Sequence, residues 1–124
     1  INTASDCKRM VEQVGLSNVG VHYDTHHANI EDTDPEQALH NCASVLNHVH
    51  LSESPRGTLG TGQVDWIASF RALKAIDYTG WLVIESFGTV DPDLAAAANV
   101  WRNAFDSEEQ VYREGIKFIR QHLA

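Results

Sequence analysis

Tyr78-Thr79-Gly80-Trp81-Leu82-Val83-Ile84-Glu85-Ser86-Phe87 is the stretch on which the reading of the chain turns. A Tyr-Thr-Gly turn is followed by four consecutive apolar residues, and a carboxylate comes directly after them. Near-continuous apolar character predicts a strand over 81–84 buried on both faces, as in a parallel sheet, with Glu85 at its C-terminal end. Two comparable units precede it. Val19-Gly20-Val21-His22-Tyr23 predicts a strand ending in the polar cluster Asp24-Thr25-His26-His27. His48-Val49-His50-Leu51 predicts another, leading into Ser52-Glu53-Ser54-Pro55-Arg56-Gly57 and a long loop marked by the glycines at 57, 60 and 62.

Helical patterns separate these strands. Cys7, Met10, Val11 and Val14 recur at helical spacing, with Thr3 as N-cap and Gly15 as stop, predicting a helix over Ala4–Val14. Asp34-Pro35-Glu36-Gln37 combines a capping Asp, proline at the first helical position and a Gln placed to reach back in a capping box. Ala38, Leu39, Cys42, Val45 and Leu46 then form a buried stripe that predicts a helix as far as Asn47. Trp66, Ile67, Phe70, Leu73 and Ile76 repeat with helical period after Asp65. A short helix is expected near Leu94–Asn99. A final one opens on the capping box Ser107-Glu108-Glu109-Gln110 and buries Val111, Ile116 and Ile119. The alternation, with connections of βαβ length, predicts an α/β fold with about three parallel strands. No linker divides the chain, so residues 1–124 read as one unit.

Composition narrows the function classes. The 124 residues are 43% hydrophobic and 21% charged, ordinary for a globular domain. A formal net charge of −8 opposes nucleic acid as a partner, because phosphate binding rests on clustered Lys and Arg. No apolar run reaches membrane-spanning length, and Ile1–Met10 lacks a signal-peptide layout, so no membrane partner is expected. Cys7 and Cys42 fit no CxxC pattern. Two free thiols on helix stripes predict a reduced, cytoplasmic chain.

Asp24, His50 and Glu85 fall at the C-terminal ends of successive strands, spaced near the roughly 30-residue length of a βα unit. Singly, Asp24 could cap a helix, His50 be a satisfied core histidine and Glu85 pair with a neighbouring cation. Together, at equivalent positions of consecutive units, they would converge on one mouth of a barrel. Two carboxylates and an imidazole meeting there would repel unless a cation lay between them, which predicts a divalent metal. Oxygen-rich, thiolate-free donors favour Mn²⁺, Mg²⁺ or Co²⁺, with Zn²⁺ also compatible. His22, His26 and His48 read as supporting or packing groups, with His48 on the same strand face as His50. Trp66, Trp81 and Trp101 read as core or helix-to-barrel packing residues.

The strings DTHHANIED (24–32), HVHLSESPRGTLGTGQVDW (48–66), YTGWLVIESF (78–87), VWRNAF (100–105) and EGIKFIR (114–120) resemble the xylose-isomerase-like TIM-barrel superfamily. Within it, the ketose 3-epimerases acting on sugars such as tagatose and psicose are most similar. The resemblance implies that the chain is the last three strands of a (β/α)₈ barrel. It also implies that Asp24, His50 and Glu85 are metal ligands, that Glu85 is one catalytic acid/base, and that His27 and Arg56 bind substrate oxygens. The substrate would be a small sugar or sugar phosphate, epimerised through an enediolate. A second acid/base glutamate belongs on the strand before Ala4–Val14. A full barrel takes about 250 residues, so this chain corresponds to roughly half of one, incomplete as a catalyst by itself.

Other readings stay open. Open sheet edges predict self-association into a homo-oligomer or pairing with the other barrel half, and a non-catalytic, self-associating binding module is the alternative. Inosose dehydratase-like and hydroxypyruvate isomerase-like enzymes share the pattern. An apurinic endonuclease-like enzyme fits less well, because the loop SESPRGTLGTGQ (52–63) has no histidine for the extra zinc ligands of that branch.

Overall fold

A computed structural model describes residues 1–123. Helix α1 (Ala4–Val14) starts where the Thr3 side chain accepts from the Asp6 N–H, and it stops at Gly15, whose φ of 66° is left-handed. Strand β1 (Val21–Asp24) runs directly into α2 (Thr25–Glu31). Next come α3 (Pro35–Cys42), a 3₁₀ turn over Ala43–Val45 and β2 (Leu46–Ser52). After a long loop, α4 (Trp66–Ala75) leads to β3 (Trp81–Glu85), α5 (Pro92–Ala97) and α6 (Glu108–Leu123).

The three strands form one parallel sheet in the order β1-β2-β3. Its register pairs Asp24 with His50 and Ser52 with Glu85. Because side chains alternate across a strand, each strand has an apolar face and a chemically loaded one. Val21, Tyr23, Val49 and Leu51 are buried beneath the helices, where α1 packs on α3, α3 on α4 and α4 on α6. The opposite face carries His22 and Asp24, His48 and His50, and Trp81 and Glu85. Burying the first set supplies most of the stability of the sheet, at about 25 cal/mol per Å² of apolar surface removed from water. Aligning the second set is what builds a site.

Several sequence expectations are corrected. The helix after Asp34 stops at Cys42, and Leu46 and Asn47 belong to β2. Leu46 satisfies both the helical stripe and the strand pattern, and pairing with Val21 decides it. A Cβ on Gly20 would meet the exposed Asn47 side chain, which would have to turn aside to admit it. Gln37 does not reach back to Asp34; its side chain donates to Asn41 Oδ1 at 2.8 Å. The run 81–84 is not buried on both faces: β3 is an edge strand here, and Trp81 is 76% exposed. Trp66 is a core residue as expected, whereas Trp101, at 90% exposed, is not.

The last helix is rotated from its expected face. Val111 is buried, but Ile116 is exposed, because α6 meets the sheet through Gly115. A Cβ there would lie 2.8 Å from Ile84 Cδ1, so even alanine would require the end of that side chain to shift. Phe118 follows on the same stripe and packs edge-on to Trp66, 5.6 Å between ring centres. Half of the expected capping box forms at this helix: Ser107 Oγ accepts from the Gln110 N–H, while Gln110 Oε1 reaches one residue further back and accepts from the Asp106 N–H. Both cysteines are free, Cys42 buried and Cys7 partly so. Among the described residues no helix is long and apolar enough to cross a membrane.

Candidate functional site

Asp24 has two tasks because its carboxylate has two oxygens. Oδ1 caps α2, accepting from the N–H groups of His26 at 2.8 Å and His27 at 3.2 Å. Oδ2 is left facing the sheet, 3.7 Å from His50 Nδ1. The same nitrogen lies 3.0 Å from Glu85 Oε1. The sequence pattern does not predict α2, since Thr-His-His-Ala-Asn-Ile-Glu has no apolar stripe. The helix exists because the chain enters it through the Asp24 cap and because Thr25 is tied to β2. Thr25 Oγ1 donates to the Ser52 carbonyl at 2.7 Å and accepts from the Ser52 N–H at 2.8 Å, with both residues buried.

Arg56 closes the cluster from the loop after β2. One of its terminal nitrogens, Nη1, donates to Glu85 Oε2 and to Ser52 Oγ, the latter at 3.1 Å. The other, Nη2, lies 3.1 Å from His27 Nε2. A guanidinium can only donate, so this contact makes Nε2 of His27 the acceptor and leaves its Nδ1 protonated. The Phe87 ring sits under the guanidinium, 5.1 Å from Cζ to its centre, and the whole side chain is only 8% exposed. The backbone of Arg56 is held in the left-handed region at φ 61°. Its N–H donates to the Glu53 carbonyl at 2.9 Å, and its own carbonyl accepts from the Phe87 N–H and the Ser86 hydroxyl. A long side chain at positive φ is uncommon. Here it is fixed from both sides, which aims the fork at Glu85.

The loop carrying Arg56 is organised by Glu53, a residue that no motif in the sequence singles out. Glu53 is fully buried, and its carboxylate accepts from four N–H groups: Ser54 at 2.9 Å, Gly60 at 2.8 Å, Val64 at 3.2 Å and the Trp66 indole at 2.7 Å. Its carbonyl takes the Nδ1–H of His26 at 3.2 Å. Burial is the main cause holding the His26 imidazole below its ordinary pKa, with the Arg56 charge second, so the neutral ring is favoured. One signal for Glu53 does lie in the sequence. A Cβ at Gly62 would come within 2.5 Å of Glu53 Oε1, so the closely spaced glycines mark backbone wrapped tightly around a carboxylate.

The five residues singled out in the sequence are therefore brought together: Asp24, His50, Glu85, His27 and Arg56 form one contact network. Asp24, His50 and Glu85 each offer a donor atom, and these atoms lie within 4.8 Å of one another. Ligands around one ion at roughly 2.1 Å stand about 3 Å apart when adjacent and about 4.2 Å when opposite, so the trio has the dimensions of a coordination shell. Its chemistry, two carboxylates and one imidazole, suits a hard or borderline divalent cation. The trio borders an open cleft of about 360 Å³, shared with His22, His27 and the start of α1. Asp32 shapes the same cleft. It ends α2 and accepts from the Ala4 N–H at 3.2 Å, pinning α1 beside the opening.

Comparison with known proteins bears on this site. Residues 1–122 match the family described as xylose isomerase-like TIM barrel. The chain is 39% identical to a ketose 3-epimerase of Arthrobacter globiformis over 99% of its own length and 43% of that protein. It is 37% identical to an L-ribulose 3-epimerase of Methylomonas sp., covering 98% of this chain and 43% of the relative. A crystal structure of D-allulose 3-epimerase from Methylomonas sp. superposes with a TM-score of 0.94 at 38% identity, over 99% of this chain and 44% of that one. The chain thus spans about two-fifths of the length of the relatives it matches.

Proposed function

Since the chain belongs to the xylose isomerase-like TIM barrel family and forms a partial barrel, we propose that it carries the metal- and substrate-facing side of a ketose 3-epimerase. The observation that carries this reading is the convergence of Asp24, His50 and Glu85 at three adjacent strand ends, with Arg56 bonded to Glu85 and His27. Asp24, His50 and Glu85 would hold a divalent ion, Mn²⁺, Mg²⁺ or Co²⁺ by donor chemistry. When bound, that ion supplies a Lewis acid that stabilises negative charge on adjacent sugar oxygens.

The chain's own residues account for half of an epimerisation at the carbon next to the ketone. Glu85 takes the proton as the C3–H bond breaks and its electron pair moves toward the C2 carbonyl oxygen, forming an enediolate. His27 lines the cleft and Arg56 stands behind it, bonded to His27 and Glu85, and together they would orient the hydroxyl and carbonyl oxygens of the sugar. Inversion needs a second acid on the opposite face of the substrate. That group belongs on a strand pairing with the open β1 edge, either from the same barrel or from an associated copy.

The test is proton exchange. With Mn²⁺ and a ketohexose in deuterated buffer, the protein is expected to place deuterium at C3. Metal-loaded protein that leaves C3 unlabelled after prolonged incubation at stoichiometric concentration would refute the assignment.

The double role of Asp24 yields a separable prediction. Asp24→Asn keeps an oxygen for the α2 cap, so stability should stay within about 0.5 kcal/mol while Mn²⁺ affinity drops at least tenfold. Asp24→Ala should lose both, with about 1 kcal/mol of added destabilisation from the uncapped helix. Urea unfolding and Mn²⁺ electron paramagnetic resonance on the two variants measure the two effects. Equal stability of the two variants would contradict the cap.

A further inference from the structure

The loaded face of the sheet holds a second group of ligand-bearing side chains. His22 and His48 are register partners on β1 and β2, and His48 and His50 are two apart on β2, so all three rings project from one face. Ring centres are 4.1 Å apart for His22–His50, 4.9 Å for His22–His48 and 5.1 Å for His48–His50. Each offers a ring nitrogen, and the three nitrogens lie within 4.8 Å of one another. Three imidazoles bound to one tetrahedral ion at about 2.0–2.1 Å per nitrogen would have ring centres roughly 5 Å apart. The observed spacing is close to that without any backbone movement.

Hydrogen bonding gives no other account of these rings. Among the described residues neither His22 nor His48 has a hydrogen-bond partner for a ring nitrogen, and their ring–ring contacts are to one another and to His50. His22 is exposed and His48 half-buried among the described residues, on the sheet face that also carries Asp24 and Glu85. We propose that His22, His48 and His50 form a second metal site, for a late divalent transition ion such as Zn²⁺ or Cu²⁺. It differs in chemistry from the carboxylate-rich trio above it. An all-nitrogen donor set of uncharged rings selects along the series that rises to Cu²⁺ and disfavours Mg²⁺ and Mn²⁺, which the oxygen-rich set suits. His50 belongs to both sets, with Nδ1 facing Glu85. The site stands independently of the epimerase reading.

The experiment is a count of imidazoles around copper. One equivalent of Cu²⁺ added to the protein should give an electron spin echo signal from three coordinated imidazoles. His48→Ala and His22→Ala should each remove one, and each should weaken Zn²⁺ binding at least tenfold by calorimetry. A wild-type count of one imidazole with carboxylate oxygens would place the ion in the Asp24–His50–Glu85 trio and overturn the proposal. A wild-type count of two imidazoles, unchanged by both His48→Ala and His22→Ala, would place the ion on the His26–His27 pair and overturn it equally. Should a variant fail to fold, the wild-type count still decides.

Discussion

Glu85→Gln should reduce deuterium incorporation at C3 by about 10³-fold, within the range that a positioned acid/base group contributes. Glutamine has the same shape as glutamate but is neither basic nor anionic. It therefore cannot accept the C3 proton, and it returns only a weak dipole to a cation. The substitution also removes the charge paired with Arg56, whose guanidinium is 8% exposed and bonded to Glu85 through Nη1, and leaves it at best an amide oxygen. Removing one side of a mostly buried pair costs about 3–5 kcal/mol when burial is complete. Glu85 itself is 21% exposed, so the cost here should fall below that range.

Glu85→Asp separates the two losses. It keeps the charge but withdraws the carboxylate from His50 and Arg56, so metal affinity should partly survive while proton transfer does not. The paired measurement is C3 exchange by NMR with Mn²⁺ affinity by electron paramagnetic resonance. Exchange by Glu85→Gln within about threefold of wild type would remove Glu85 from the chemistry, being far short of the loss expected for an acid/base group.

Glu53→Ala should be the most destabilising single substitution away from the metal trio, by about 3–5 kcal/mol. The carboxylate gathers three backbone N–H groups and the Trp66 indole, drawn from both ends and the middle of the loop 53–66. Hydrogen bonds to a charged group contribute about 1.5–3 kcal/mol each, and a buried donor left unsatisfied costs about 1–3 kcal/mol. Truncation removes the acceptor from all four at once. Loop relaxation toward water recovers part of the loss, which holds the net figure in the upper range for single mutations.

Glu53→Gln retains one carbonyl oxygen but turns an amide N–H₂ toward donors, so it should cost less than Ala and still be clearly destabilising. Because Trp66 loses its partner, its fluorescence should shift as the loop opens, before global unfolding. A Glu53→Ala protein with wild-type urea midpoint and unchanged tryptophan emission would contradict the role assigned to this carboxylate. The exposed pair Arg71–Glu36 is the natural control: it is also an acid with a close cation, but water screens it, and its loss should have no comparable effect.

The strand ends are legible in the sequence because their signal is local. A short apolar run followed at once by Asp, His or Glu needs only the chain itself to be read, and three such runs at βα spacing place their ends at one side of a parallel sheet. Helix caps at Thr3 and Asp34 are similarly visible, since a cap is a contact between residues three apart. Helix α2 is hidden: seven polar-rich residues carry no stripe, and what holds them is the Asp24 cap and the Thr25–Ser52 clasp across 27 positions. The end of α3 is ambiguous for a different reason, as Leu46 fits both periods.

What the amino-acid order determined by itself is the alternation of elements, the parallel sheet and the identity of the side chains at its C-terminal edge, because periodicity and capping act over a few residues. What only the tertiary structure decided is which of those side chains meet. Arg56 bends back to Glu85 across 29 positions, Glu53 is enclosed by a loop reaching to Trp66, and the histidines of β1 and β2 come into one group through strand register. Such contacts depend on chain segments distant in sequence being packed to within a few ångströms. That packing is set by the sum of burial over the whole core, which no single window of sequence contains.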